Sequence, residues 1–139
     1  MTLLPTPEDA FEWGRRLGAS LQAGDVIALC GNLGAGKTQA VKGIMAGAGS
    51  KREASSPTFT LVHEHHDGRL PVFHLDFYRM SSAREVLSAG WDELLDEPGA
   101  VVVEWADLFP ELMPPRTRWF HIEILPEGGR RVMEKTPAE

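Results

Sequence analysis

Residues 31–38 read Gly31-Asn32-Leu33-Gly34-Ala35-Gly36-Lys37-Thr38 and fit the spacing G-x-x-x-x-G-K-[S/T] at every fixed position. This turn constrains the fold more than any other feature, because it works only between a buried strand and the start of a helix. Both flanks are present. Val26-Ile27-Ala28-Leu29-Cys30 is a continuous apolar run bounded by glycines, the pattern of a strand covered on both faces. Beyond the turn, Ala40, Val41, Ile44, Met45 and Ala48 recur at helical spacing until Gly49. From the chain's own 14 Gly, 4 Lys and 14 Ser plus Thr in 139 residues, chance supplies roughly 0.004 such matches. A random glycine-rich turn is therefore a poor explanation.

The chemistry explains the residue types. Glycines let the backbone curl so that the N–H groups of Asn32, Leu33, Gly34, Ala35 and Gly36 point inward at phosphate oxygens. The helix behind the turn adds the positive end of its dipole, roughly half a charge. Lys37 is expected to reach the β- and γ-phosphates and the Thr38 hydroxyl to take one position on Mg²⁺. The chain lacks Asn-Lys-x-Asp, the usual reader of guanine in small GTPases, so ATP is the expected nucleotide.

Hydrolysis needs a further acid near the metal, carried by an apolar strand beside the loop strand. Val101-Val102-Val103-Glu104 fits best, with Glu104 at the carboxyl end, where open α/β sheets place their ligands. Asp76, closing Val72-Phe73-His74-Leu75, is the second candidate. A solvated acid at a strand end is the plain alternative for either. Residues 92–111 hold seven acids and no Lys or Arg, which argues against the basic lid of a small-molecule kinase.

Charge narrows the partners. The chain carries 14 basic and 20 acidic residues, net −6, with six basic and five acidic in 1–60 against eight and fifteen in 61–139. A protein that neutralises nucleic-acid phosphates by itself needs the opposite sign, so unaided binding to DNA or RNA is not expected. One cysteine, Cys30, gives no disulfide framework and reads as a small buried hydrophobe. No run approaches 18 apolar residues and the first nine residues lack a signal-peptide pattern, so a cytoplasmic protein is the expectation. At about 150 residues per domain, 1–139 is read as one domain with a frayed tail at 136–139.

Thr6-Pro7-Glu8-Asp9 reads as a helix start with a capping box, and Phe11, Gly14, Leu17 and Leu21 carry the helix towards Gly24. Gly43 weakens the helix after the loop by roughly 1 kcal/mol unless close packing requires it. Asp67-Gly68, between Phe59–His65 and Leu70–Asp76, predicts a hairpin with a tight type I′ turn. Pro71 suits an edge or a strand start. Ser82-Ala83-Arg84-Glu85 opens another helix that stops at Gly90. Ala100–Val103 reads as a central parallel strand, and Arg118–Leu125 as a strand turned back at Gly128-Gly129. The order predicts an α/β fold: a P-loop NTPase-like mixed sheet flanked by helices.

His63, His65 and His74 could meet on the hairpin, but no cysteine joins them and the spacing matches no zinc pattern, so exposed hairpin histidines are the better reading. The acidic stretch 92–111 reads mainly as a solvated face, with a docking surface the alternative. Trp13, Trp91 and Trp119 read as core or interface fillers.

Four blocks occur in order: the loop at 31–38, Ser56-Pro57-Thr58-Phe59-Thr60-Leu61-Val62, His74-Leu75-Asp76-Phe77-Tyr78-Arg79, and Val103-Glu104-Trp105. Together they closely resemble the TsaE (YjeE) family, bacterial ATPases needed for threonylcarbamoylation of tRNA at the adenosine beside the anticodon. The resemblance spans roughly residues 5–125. It implies Thr38 and Glu104 as Mg²⁺ ligands, and Lys37 with the loop backbone as the phosphate cradle. Thr58 falls in the switch-like loop near the γ-phosphate, Asp76 is the acid needed for ATPase activity, and Trp105 lies beside the nucleotide. The segment around Thr6 is implied to border the adenine. TsaD and TsaB are the implied partners, with TsaD performing the transfer and tRNA meeting the complex more than this chain.

The chain departs from the family pattern at Asn32, where Asp is frequent, at His65-His66, where Tyr is common, at Trp91, and in a short tail after Leu125. None touches the expected chemistry. Two rival functions remain at this level: a nucleotide-gated binding module in which hydrolysis is incidental, and, less well supported, a small-molecule kinase.

Overall fold

The computed structural model describes residues 1–31, 36–50 and 62–135. Thr58 and the loop residues Asn32, Leu33, Gly34 and Ala35 lie outside them, as does the tail from 136. Seven strands, β1 (Thr2–Leu4), β2 (Val26–Cys30), β3 (Val62–His65), β4 (Val72–Asp76), β5 (Ala100–Glu104), β6 (Arg118–Ile124) and β7 (Arg130–Glu134), form one sheet in the order β1-β7-β6-β2-β5-β4-β3. The continuous apolar runs sit where two-sided burial demands them. β2 lies between β5 and β6, parallel to both, and β4 is parallel to β5. β3, β7 and β1 extend the sheet by antiparallel pairing.

Helices α1 (Pro7–Ser20) and α2 (Lys37–Gly47) cover one face, where Leu17, Ile44 and Met45 pack on Ile27, Leu29, Val102 and Phe120. Helices α3 (Ala83–Ser88) and α4 (Trp91–Leu95) belong to the other, where Val86 and Trp91 join Val26, Ala28, Phe73, Leu75 and Val103. The capping box predicted for α1 is present: Asp9 N–H donates to the Thr6 hydroxyl at 3.2 Å, and Thr6 N–H to the Asp9 carboxylate at 3.0 Å.

Gly43 has a packing reason. A Cβ there would stand 2.0 Å from the Phe11 carbonyl oxygen, and one on Gly14 would stand 2.1 Å from that of Ala40. The backbones of α1 and α2 are in contact, which fixes the loop helix over β2.

The hairpin forms, but not through a tight turn. His65 pairs with Val72, so six residues, 66–71, connect β3 to β4, and Gly68 is not among the glycines with positive φ that a type I′ turn requires. Tertiary contacts override the local preference. Arg69 N–H donates to the Ala48 carbonyl at 2.7 Å, and its guanidinium reaches the Gly18 carbonyl at 3.1 Å. The connection is stretched to clasp the ends of α1 and α2.

β1 and α4 carry too little pattern to be foreseen. β1 has three residues, held by Leu4 in the core and by pairing with β7. α4 comes from the acidic stretch: Asp92, Glu93, Asp96 and Glu97 are exposed while Trp91 is buried, its indole N–H donating to the Leu112 carbonyl at 2.9 Å. No helix among the described residues is long and apolar enough to cross a membrane.

Candidate functional site

β2 ends at Cys30, and Gly36, in the left-handed region at φ 97°, is the N-cap of α2. No L side chain suits that angle well, which accounts for the fixed glycine before Lys37. Lys37 and Thr38 open the helix, with Lys37 only 6% exposed and Thr38 at the surface. The Lys37 ammonium donates to the Gly31 carbonyl and stands 4.2 Å from the centroid of the Trp105 ring. Burial pushes its pKa down, while the acids Glu104, Asp107 and Asp76 pull it up.

The two predicted acids meet. Asp76 pairs with Glu104 across the parallel β4–β5 ladder, at the carboxyl ends of both strands, and both are buried. Register partners in a parallel ladder project from the same face, and Leu29, paired to Glu104, belongs to the core under α1 and α2. Lys37 therefore opens its helix on the face that carries both carboxylates. Asp76 also caps the 3₁₀ turn Phe77–Arg79, accepting from Tyr78 N–H at 3.0 Å. Burial pushes the Asp76 carboxyl above its ordinary range, and the Glu104 charge adds to this. The Arg79 guanidinium, 3.7 Å from the carboxylate, offsets part of the effect.

Trp105 follows at φ 59°, the only residue other than glycine with positive φ among the described residues. Its N–H donates to the Leu29 carbonyl at 3.0 Å, and its ring lies 5.0 Å from that of Tyr78. Such a backbone costs of order 1 kcal/mol and persists where the surroundings impose it.

A hard divalent cation suits this donor set: the Thr38 hydroxyl and two carboxylates are all oxygens. Among the described residues no three His, Cys, Asp or Glu side chains converge as a metal cage. Mg²⁺ needs none, since it is bound through one or two carboxylates together with substrate phosphates and water.

Two parts of the site were incompletely read from the sequence, and the expectation of exposed hairpin histidines is corrected, since His65 and His74 are both buried. His74 is fully buried on β4, with Nε2 2.7 Å from Glu104 Oε2. The His74-x-Asp76 alternation, which puts both side chains on one face, was the available signal. A cavity of about 140 Å³ lies against Gly36, lined by Pro5, Thr6, Gln39, Gly129 and Arg130. Arg130 comes from β7, too distant in sequence for local pattern to assign it. A different cavity of about 350 Å³ sits on the opposite face, between Phe73, Leu75 and Trp91, and holds none of the residues predicted for the site.

A parallel core with a G-x-x-x-x-G-K-T turn between its central strand and a covering helix defines the P-loop class of α/β folds. A crystal structure of Bacillus subtilis YdiB superposes with a TM-score of 0.76 at 33% identity, covering 93% of this chain and 79% of that one. The family model described as "Threonylcarbamoyl adenosine biosynthesis protein TsaE" matches residues 4–132. The chain is similar to the TsaE proteins of Treponema pallidum, at 37% identity over 90% of this chain and 92% of that one, and of Bacillus subtilis, at 44% over 78% and 67%. That of Nostoc is 39% identical over 96% and 83%. The chain belongs to the TsaE family, and its role lies in tRNA threonylcarbamoyladenosine biosynthesis.

Proposed function

We propose that the protein is a Mg²⁺-dependent ATPase that supports tRNA N⁶-threonylcarbamoyladenosine formation in the cytoplasm, in a complex with TsaB and TsaD homologues. TsaD performs the transfer, and tRNA contacts the complex more than this acidic chain. The observation that carries the reading is the register pairing of Asp76 with Glu104 on the sheet face covered by the helix that Lys37 opens.

In this mechanism Lys37 exchanges its contact with the Gly31 carbonyl for the β- and γ-phosphate oxygens of ATP. The N–H groups of Asn32–Gly36 would bind the phosphate oxygens. Thr38 and Glu104 would hold Mg²⁺, which when bound would neutralise charge on the phosphates. Asp76 orients the attacking water from beside Glu104. The cavity formed by Pro5, Thr6, Gln39 and Arg130 borders the helix end where the nucleoside would emerge, so it takes part of the adenosine. The Arg79 guanidinium is half-exposed and stands 3.7 Å from the Asp76 carboxylate; slow turnover without partners is expected.

Steady-state phosphate release with and without TsaB–TsaD tests the reading. Turnover that rises in the complex and is lost in Glu104→Gln supports it. Continued modification over many cycles by Glu104→Gln, with hydrolysis abolished, would instead make the protein a nucleotide-gated module.

A further inference from the structure

We propose that His74 is a positioning residue for the metal site: its imidazole holds the Glu104 carboxylate in the orientation that presents it to a divalent cation. The inference rests on the reading of Glu104 as a Mg²⁺ ligand.

His74 lies mid-strand on β4, 1% exposed, with the apolar residues Phe73 and Leu75 on either side of it in the chain. An imidazole at such a depth costs free energy that an apolar side chain does not, unless its polar atoms are used. One is used. Nε2 donates to Glu104 Oε2 at 2.7 Å, whereas Nδ1 has no hydrogen-bond partner among the described residues. Core packing alone does not call for a histidine that leaves one nitrogen orphaned. The group it does satisfy is the carboxylate proposed to bind metal.

The register explains how the contact arises. His74 pairs with Val102, two residues before Glu104, so imidazole and carboxylate share a face, one step apart along the strands. Glu104 must lean across to β4 for Oε2 to accept the bond. Oε1 carries no hydrogen bond among the described residues and is the oxygen left for a cation. Asp76 is fixed by a different device, the Tyr78 N–H. Asp76 also has the Arg79 guanidinium 3.7 Å from its other oxygen, whereas Glu104 is anchored through Oε2. A ligand carboxylate held in this way loses less rotational freedom on binding a cation, and removal of such a partner typically costs 10–100-fold in metal affinity.

The test uses the full chain saturated with ADP and titrated with Mn²⁺ in place of Mg²⁺, bound metal being read by electron paramagnetic resonance. ADP affinity without metal is measured by calorimetry. His74→Met should weaken Mn²⁺ binding at least about tenfold and leave metal-free ADP affinity within about twofold. His74→Gln, whose amide can approach the Nε2 position, should recover to within about threefold of the parent. In a Glu104→Gln background, His74→Met should change nothing further, since the two act through one contact. Should His74→Met fail to fold by circular dichroism, His74→Asn, too short to reach Oε2, replaces it with the same expected loss. Parental Mn²⁺ affinity in the donor-less variant overturns the inference, as does an equal loss in the Glu104→Gln background. If the parent's ADP complex takes no Mn²⁺, or Glu104→Gln binds it as tightly, the underlying reading of Glu104 fails, and the inference with it.

Discussion

The Lys37 ammonium lies 4.2 Å from the centroid of the Trp105 ring while donating to the Gly31 carbonyl. The cation that the mechanism sends to the phosphates is thus held by the loop's own backbone and by an aromatic face. A buried cation–π contact of this kind contributes of order 1–2 kcal/mol. In the proposed mechanism nucleotide entry would exchange these contacts for phosphate oxygens, which would move a charge off the indole.

Intrinsic fluorescence should report that exchange. We expect the emission of the parent chain to change on saturation with ADP and the change to be largely lost in Trp105→Phe, although Trp13, Trp91 and Trp119 remain. An equal response in the variant would assign the signal to another tryptophan and contradict the exchange.

Asp76 should be destabilising in the empty site. Burial and the Glu104 charge raise its pKa above the ordinary 3.8. Between that value and the higher folded one, the folded chain binds more protons than the unfolded, so stability falls as pH rises through the window, and ionised Asp76 remains a cost at pH 7. Asp76→Asn keeps an oxygen for Tyr78 N–H and loses only a half-exposed contact with Arg79. Its nucleotide-free melting midpoint at pH 7 should rise above that of the parent. The gain should shrink as pH approaches 4, and hydrolysis should be lost. A lower midpoint at pH 7 would contradict the sign.

Much of the fold was legible in the sequence because β2 and β5 satisfy local and tertiary demands together. Two-sided burial writes Val26–Cys30 and Ala100–Val103 as unbroken apolar runs, and the turn at 31–38 admits few alternatives. The turn at Asp67-Gly68 was misread because local propensity points to a tight hairpin, whereas Arg69 is held by the ends of two helices far away in sequence. His74 reads as exposed and Arg130 goes unnoticed for a similar reason: what they touch is set by register across the sheet, which no window of neighbouring residues encodes.

The close approach of α1 and α2 predicts an inverted substitution effect. In an exposed helix interior, glycine to alanine stabilises by up to about 1 kcal/mol. At Gly43 the added carbon would stand 2.0 Å from the Phe11 carbonyl oxygen, so Gly43→Ala should destabilise by about 2 kcal/mol, within the range for overpacking. Urea denaturation measures it, and an unchanged or raised midpoint would contradict the packing.

Cys30 should be inert in the folded chain. It is 1% exposed, and its thiol is pushed up to about 12, chiefly by burial. Since the thiolate is the reactive form, native protein at pH 8 should not react with Ellman's reagent over an hour, whereas protein in denaturant should release one equivalent. Rapid native labelling would contradict the placement.

On the proposed reading the segment from Gly31 to Thr38 grips a triphosphate and Glu104 serves its metal. Calorimetric titration of the folded chain with a non-hydrolysable ATP analogue and Mg²⁺ tests it most directly. The account predicts saturable one-to-one binding, weakened at least about 100-fold in Lys37→Ala with the circular dichroism spectrum intact, and a Mg²⁺ enhancement that disappears in Glu104→Gln. No binding heat from folded parent protein, or undiminished binding in Lys37→Ala, would contradict it.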